Sequence, residues 1–241
     1  MFGVLFLHSL GSTNLVFQEF EEYLQEQGFR TCSPLLPGHG TFPKDLKNYT
    51  YKDWIQASEQ ALLNLNCQVS FVVGQITGAT LALLLAATHP ELLGIVTLSG
   101  IITLPKWYNR FNAFLKSKSR MINWGSPVSN LLPFYDPNIG EKIALYEKVP
   151  QIALNETFSL IRQTRKILKK VVQPIYIFHS SARKEIGEQN AHFLFKNVAS
   201  KKKKLMFIEK GSPLMSVDAA RYILFRESTN FFWSCIDLYQ M

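Results

Sequence analysis

The chain has 241 residues, 47% of them apolar, and carries 26 basic against 18 acidic side chains for a formal charge of +8. This is enough apolar material to bury a large core as one domain and too little bias for a disordered chain. Its three cysteines, Cys32, Cys67 and Cys235, lack C-x-x-C or metal spacing, and no glycine-rich phosphate loop occurs, so neither a metal nor a nucleotide cofactor is expected.

In chain order, Gly3 to Leu7 reads as a buried strand that ends in His8-Ser9-Leu10-Gly11-Ser12, a turn. Phe17, Phe20, Tyr23 and Leu24 recur at helical spacing and Gly28 stops the helix. Phe29 to Ser33 is a second strand, followed by the loop Pro34 to Gly40. Thr50 caps a helix through Trp54 to Leu65, and Val69 to Val73 is a third strand. After the helical run Thr80 to Ala87 comes the strand Gly94 to Leu98. This alternation implies a mostly parallel sheet with helices on both faces. It stops at Gly100. From Ile101 to Val172 the pattern is helical or irregular, rich in aromatics such as Trp107, Phe111, Trp124 and Tyr135, and broken by five prolines. The alternation resumes with Ile175 to Phe178, a helix near Gln189 to Val198, the strand Leu205 to Ile208 and a closing helix from about Ala219 to Ile236, giving six strands in all. No apolar run approaches the roughly 18 residues of a membrane span, and the N-terminus lacks a basic leader pattern, so a cytoplasmic protein is expected.

The segment Phe71-Val72-Val73-Gly74-Gln75-Ile76-Thr77-Gly78-Ala79 is an apolar strand that turns directly into a helix, with glycines two before and two after the apex. That is the layout of a nucleophile elbow, G-x-S-x-G, with Ile76 where the serine belongs. A β-branched residue tolerates the strained apex poorly, so a relaxed turn is expected there.

Three motifs together, Leu5-Phe6-Leu7-His8-Ser9-Leu10-Gly11-Ser12, Pro34-Leu35-Leu36-Pro37-Gly38-His39-Gly40 with Asp53-Trp54, and Gly74-Gln75-Ile76-Thr77-Gly78, resemble α/β-hydrolases, most of all the small carboxylesterases and monoacylglycerol lipases. The resemblance implies an α/β-hydrolase core over residues 1–100 and 173–241, with 101–172 as a helical cap over an acyl pocket. It also places the catalytic triad. The serine falls on Ile76, the aspartate after the fifth strand on Arg183, and the histidine of the G-H-x-x-x-x-D pattern on Ser212, ahead of Asp218. All three are expected at one end of the sheet. None has the required chemistry: an isoleucine offers no lone pair, and without a base and an orienting carboxylate an oxygen nucleophile is not activated.

The oxyanion hole depends on backbone N–H groups rather than side chains, so a carbonyl-binding site formed by Leu10 and Thr77, bordered by Ser9 and Ile76, is expected to survive. The Thr77 hydroxyl itself is expected to point away as a helix cap. Ser9 and Ser212 read as turn residues, and His8, His39 and His179 as loop histidines bonded to backbone. The sequence thus predicts a hydrolase-like protein without catalysis that works by binding an acyl ligand or a protein partner. An esterase with displaced catalytic residues is the alternative.

Charge is uneven. Met1 to Gly100 holds 4 basic and 8 acidic residues, a net of −4, while Ile101 to Met241 holds 22 and 10, a net of +12. Arg162, Arg165, Lys166, Lys169 and Lys170 share one face of a helix whose other side carries Leu160, Ile161, Ile167, Leu168 and Val171. That face suits an acidic protein partner or peripheral contact with anionic lipid, not nucleic acid; Lys201 to Lys204 reads as a separate basic run.

Overall fold

In the computed structural model, residues 1–103, 121–123, 145–146, 148–181, 187–209 and 212–240 are described. The expected alternation is present: β1 (Phe2–Leu7), α1 (Gln18–Glu26), β2 (Arg30–Cys32), α2 (Tyr51–Leu65), β3 (Val69–Gln75), α3 (Thr77–Thr88) and β4 (Gly94–Leu98). These strands are short and apolar, and β1, β3 and β4 are buried almost throughout, as befits a sheet covered on both faces. After the inserted stretch come α4 (Gln151–Ile167), β7 (Ile175–Ser180), α5 (Gln189–Asn197), β8 (Lys203–Ile208) and α6 (Arg221–Gln240). The main sheet has six strands in the order β2-β1-β3-β4-β7-β8, every pair parallel.

Two apolar layers hold it. One face carries Phe6, Phe17, Phe20, Phe71, Phe225 and Phe232 beneath α1 and α6, with Phe20 and Phe225 stacked at 4.3 Å. The other carries Leu5, Val72, Leu85, Leu160 and Ile177 beneath α2, α3 and α4. Each ring buried from water contributes on the order of 1.5–3 kcal/mol, so these layers dominate the stability. The predicted cap at Thr50 takes the form of a capping box, in which the Thr50 N–H donates to Asp53 Oδ2 at 2.7 Å. Its neighbour Trp54 donates from Nε1 to the Pro37 carbonyl at 3.1 Å, which pins the Pro34–Gly40 loop to α2.

Two features depart from the expected cap at 101–172. A short antiparallel ribbon pairs β5 (Met121–Asn123) with β6 (Lys148–Pro150) where a helical or irregular segment was expected. And α4 is part of the core's helical layer: it packs on α3 and α2, burying Ala153, Leu154, Thr157, Leu160, Ile161 and Thr164. Its apolar face has the same hydrophobic reason to lie on the sheet as any crossover helix, and Thr164 Oγ1 donates to the Thr80 carbonyl at 3.4 Å. The aromatics Trp107, Phe111, Trp124 and Tyr135 lie outside the described residues. Where the insertion begins, Asn190 Oδ1 on α5 accepts from the Ile102 and Thr103 N–H groups at 2.9 and 2.8 Å, fixing the exit from β4.

Candidate functional site

The elbow is fully formed. Ile76, between β3 and α3, has φ 55° and ψ −106°, so the relaxed turn expected for a β-branched residue does not occur. The surroundings impose the conformation. Its N–H donates to the Leu98 carbonyl at 2.8 Å and its carbonyl accepts from the Ile101 N–H at 3.3 Å. A Cβ added at Gly74 would lie 2.3 Å from the Gly78 carbonyl oxygen, and one at Gly78 would lie 1.9 Å from the Leu7 carbonyl oxygen, so strand and helix approach as only glycine permits. Such a backbone costs roughly 1–3 kcal/mol, and the Ile76 side chain offsets it: it is only 9% exposed and joins the apolar cluster of Leu98, Leu214, Met215 and Val217.

Beside the elbow, the first loop places its donor as the sequence suggests, but the donor is occupied. The Leu10 N–H donates to Thr77 Oγ1 at 2.6 Å. The Thr77 hydroxyl therefore turns toward the oxyanion position, not away from it, and the carbonyl site expected from the Leu10 and Thr77 N–H groups is closed on the Leu10 side by a side chain of the protein itself. Ser9, buried next to it, uses its carbonyl to accept from the Ser12 N–H at 3.1 Å and from the His8 ring at 3.0 Å. The insertion reaches this loop as well, since the Tyr146 N–H donates to the Gly11 carbonyl at 2.7 Å and the Tyr146 hydroxyl accepts from the Thr41 N–H at 3.0 Å.

Two of the three histidines, His8 and His39, are bonded to backbone as expected. His8 donates from Nδ1 to its neighbour's carbonyl, and Nε2 accepts from the Leu36 N–H at 3.0 Å. Burial, and then the adjacent His39, push its pKa down to about 3. His39 is turned by the same loop, with Nδ1 on the Leu36 and Pro37 carbonyls at 3.1 and 3.2 Å, and burial lowers it to about 4. Both rings are thus neutral, with their bonds aimed at backbone, and neither is hydrogen-bonded to a hydroxyl. His179 lies within β7, one residue before its end and not in a loop as expected, buried and edge-on to Phe207 at 6.2 Å. A depression of about 350 Å³ opens by this loop, lined among others by Leu36, Pro37, His39 and Tyr49, and does not extend to Leu10, Ile76 or Thr77.

At the third triad position, Ser212 is buried and follows β8 at the same end of the sheet as Ile76. Its N–H donates to Asp218 Oδ2, and Asp218 Oδ1 accepts from the Ala219 N–H at 2.6 Å. The carboxylate therefore closes its own loop. The Ser216 N–H donates to Gln75 Oε1 at 3.1 Å, tying this loop to the residue before the elbow apex. Gln75 Nε2, Ser212 Oγ and Ser216 Oγ are buried with no hydrogen-bond partner among the described residues. Arg183 lies outside the described residues. Sequence reading missed Gln75 and the inward turn of Thr77; a polar residue in an otherwise apolar strand and a hydroxyl next to a donor-rich loop were the available signals. Among the described residues no His, Cys, Asp or Glu cluster suits a metal.

A six-stranded parallel sheet with a strand–elbow–helix junction at one end and the two motif loops beside it defines an α/β-hydrolase fold. The chain belongs to the hydrolase family described as serine aminopeptidase S33, whose sequence pattern matches residues 3–212. It is similar to the thermostable monoacylglycerol lipase of Bacillus sp. (strain H-257), 28% identical over 232 residues, or 95% of this chain and 90% of that one. The fold is shared with a solved structure described as LipS and LipT, two metagenome-derived lipolytic enzymes, at TM-score 0.86, 21% identity, and 97% and 94% coverage. A monoacylglycerol lipase of Paleococcus ferrophilus overlays at TM-score 0.78, 16% identity, and the same coverages.

Proposed function

We propose that this member of the esterase and monoacylglycerol lipase-like hydrolases is catalytically inactive and acts by binding. The observation that supports this is the elbow: its backbone is retained with a buried isoleucine at the apex, so the position that must supply an oxygen nucleophile supplies a hydrocarbon. The occupied Leu10 N–H argues in the same direction and favours a protein partner over an acyl carbonyl as what is bound. Arg162, Arg165 and Lys166 of α4, with Lys169 and Lys170 of the turn that follows it, are all exposed and form a separate surface whose charge suits an anionic ligand.

A second reading, a carboxylic ester hydrolase with displaced catalytic residues, draws on the similarity to a lipase over nearly the whole chain. Serine-directed phosphonate labelling and turnover of short-chain acyl esters separate the two. The first reading expects no labelling and turnover at background. It also expects that Ile76→Ser with Arg183→Asp and Ser212→His stays slow until Thr77→Ala frees the Leu10 donor, which then raises kcat by about 100-fold, the usual worth of one oxyanion donor. Robust turnover by the unaltered protein would overturn it.

A further inference from the structure

The two basic runs, some thirty residues apart in sequence, form one surface. Between them Thr157–Ser180 and Gln189–Ile208 contain ten lysines and arginines and not one aspartate or glutamate. The chain brings them together through backbone: the Ala199 N–H donates to the Val171 carbonyl at 2.9 Å, and the Ile175 N–H to the Lys202 carbonyl at 2.9 Å. On the outer side, the Arg165 guanidinium lies over the Phe193 ring of α5 at 4.6 Å, which joins α4 to α5. Of the ten, Lys203 is half-buried, with Nζ on the Phe195 and Val198 carbonyls, and the other nine are exposed. None of Lys166, Lys169, Lys170, Lys201, Lys202 and Lys204 has an ion pair among the described residues. Two apolar side chains break the surface, Val172 at 55% exposure and Phe195 at 37%.

From this composition we infer that the α4–α5 outer face and the edge where β7 and β8 begin dock on an anionic lipid bilayer. Eight of the ten cations are lysines, mobile point charges without the planar fork that reads a carboxylate or a base in fixed geometry. A bilayer surface asks for no such geometry. It attracts each cation by about 1 kcal/mol, or about five-fold in binding, and takes up exposed apolar side chains at the headgroup boundary. An acidic protein would instead require a central desolvated anchor and duplex DNA a projecting element that enters a groove, whereas α4 is packed along the core and carries only three of the ten cations. Docking here also fixes an orientation. Ile175, at the start of β7, is in register through Ile95 of β4 with Val72 of β3, four residues before Ile76, so the elbow lies about 13 Å further along the strands and faces away from the lipid. The inference does not depend on whether the elbow end is active.

The test uses the whole chain and sedimentation with vesicles of phosphatidylcholine alone or with 30 mol% phosphatidylserine, an amount set at about the anionic content of a cytoplasmic leaflet. Binding is expected only to the anionic vesicles and should fall steeply as salt rises from about 0.05 to 0.5 M. The triple reversals Arg165→Glu/Lys169→Glu/Lys170→Glu and Lys201→Glu/Lys202→Glu/Lys204→Glu should each weaken binding by at least about 100-fold, the product of three five-fold losses for removal of the charges alone, with thermal midpoints unchanged. Equal binding to both vesicle types overturns the proposal. So does a loss confined to one reversal, since one surface was inferred, or retention by an acidic protein or DNA column with no vesicle binding. The salt titration of the unaltered chain decides the matter even if a variant fails to fold.

Discussion

At the end of the sheet where β1, β3 and β8 stop, buried polar groups are tied to one another: Leu10 to Thr77, Ser212 and Ala219 to Asp218, Ser216 to Gln75, His8 to Leu36. Where β7 and β8 begin, the polar groups are nine exposed cations facing solvent. In a hydrolase the first end keeps its donors and nucleophile available for substrate. Among the described residues most donors at this end are bonded within the protein, with Gln75 Nε2, Ser212 Oγ and Ser216 Oγ the partnerless exceptions, whereas the cations of the other surface face solvent. The difference locates binding capacity by asking which polar groups are already spent, a question that the fold alone does not answer.

The contrast breaks most sharply at Gly78. If the elbow is now purely architectural, its glycines matter to stability as much as in any active relative. A Cβ at Gly78 would meet the Leu7 and His8 carbonyl oxygens at 1.9 and 2.7 Å, both backbone and unable to swing aside. Gly78→Ala should therefore cost about 3 kcal/mol or more, overpacking at its severe end, and yield little folded protein. Urea unfolding of whatever is soluble measures it. A loss below about 1 kcal/mol would mean that the junction is looser than its contacts require.

Much of this was legible from residues. Apolar runs of strand length, punctuated by Gly28, Gly74 and Gly78, gave the six parallel strands, and the G-x-x-x-G spacing located the elbow with Ile76 at its apex. What was not legible depends on groups distant in sequence. The strained turn at Ile76 survives because Leu98 and Ile101 hold its backbone, and intrinsic preference at one residue is overridden by partners 22 and 25 positions away. Thr77 was assigned a local capping role, the usual choice for a threonine entering a helix, whereas its hydroxyl found the Leu10 donor across the chain. The β5–β6 ribbon rests on three-residue runs too short to carry a period. The two basic runs, read separately, meet because β7 and β8 are parallel neighbours, which brings the connections before both strands to the same edge.

A second test, of intermediate size, lowers the pH. His8 and His39 have folded pKa values near 3 and 4, well below the ordinary 6.5, chiefly because burial disfavours the charged ring. An unfolded chain takes up two protons that the folded chain refuses, so the stability these rings contribute is present above pH 6.5 and is lost as pH falls toward 4. The loss is roughly 1 kcal/mol per pH unit for each ring. Thermal midpoints followed by circular dichroism from pH 6.5 to 5 should fall, and His39→Gln, which keeps a donor for the Leu36 carbonyl, should reduce the slope by about half. A midpoint flat over that range would mean that the two rings titrate freely and the loop is open.

The smallest effect is the most diagnostic, because its sign differs between the two ends. Replacing a bonded polar group at the elbow end leaves a buried partner unsatisfied and must destabilise. Reversing Lys169 and Lys170 to glutamate breaks no ion pair among the described residues, since neither lysine has one. It also lowers the formal charge from +8 to +4, each reversal counting for two. Relief of repulsion within an acid-free cluster should therefore leave stability unchanged or raise it by up to about 0.5 kcal/mol. The gain should appear in urea midpoints at low salt and vanish near 0.5 M, where charges more than about 4–5 Å apart are screened. A loss above about 0.5 kcal/mol that persists in salt would show that these lysines hold the end of α4 to the core through their stems, which would place the basic face among the parts that keep the fold together.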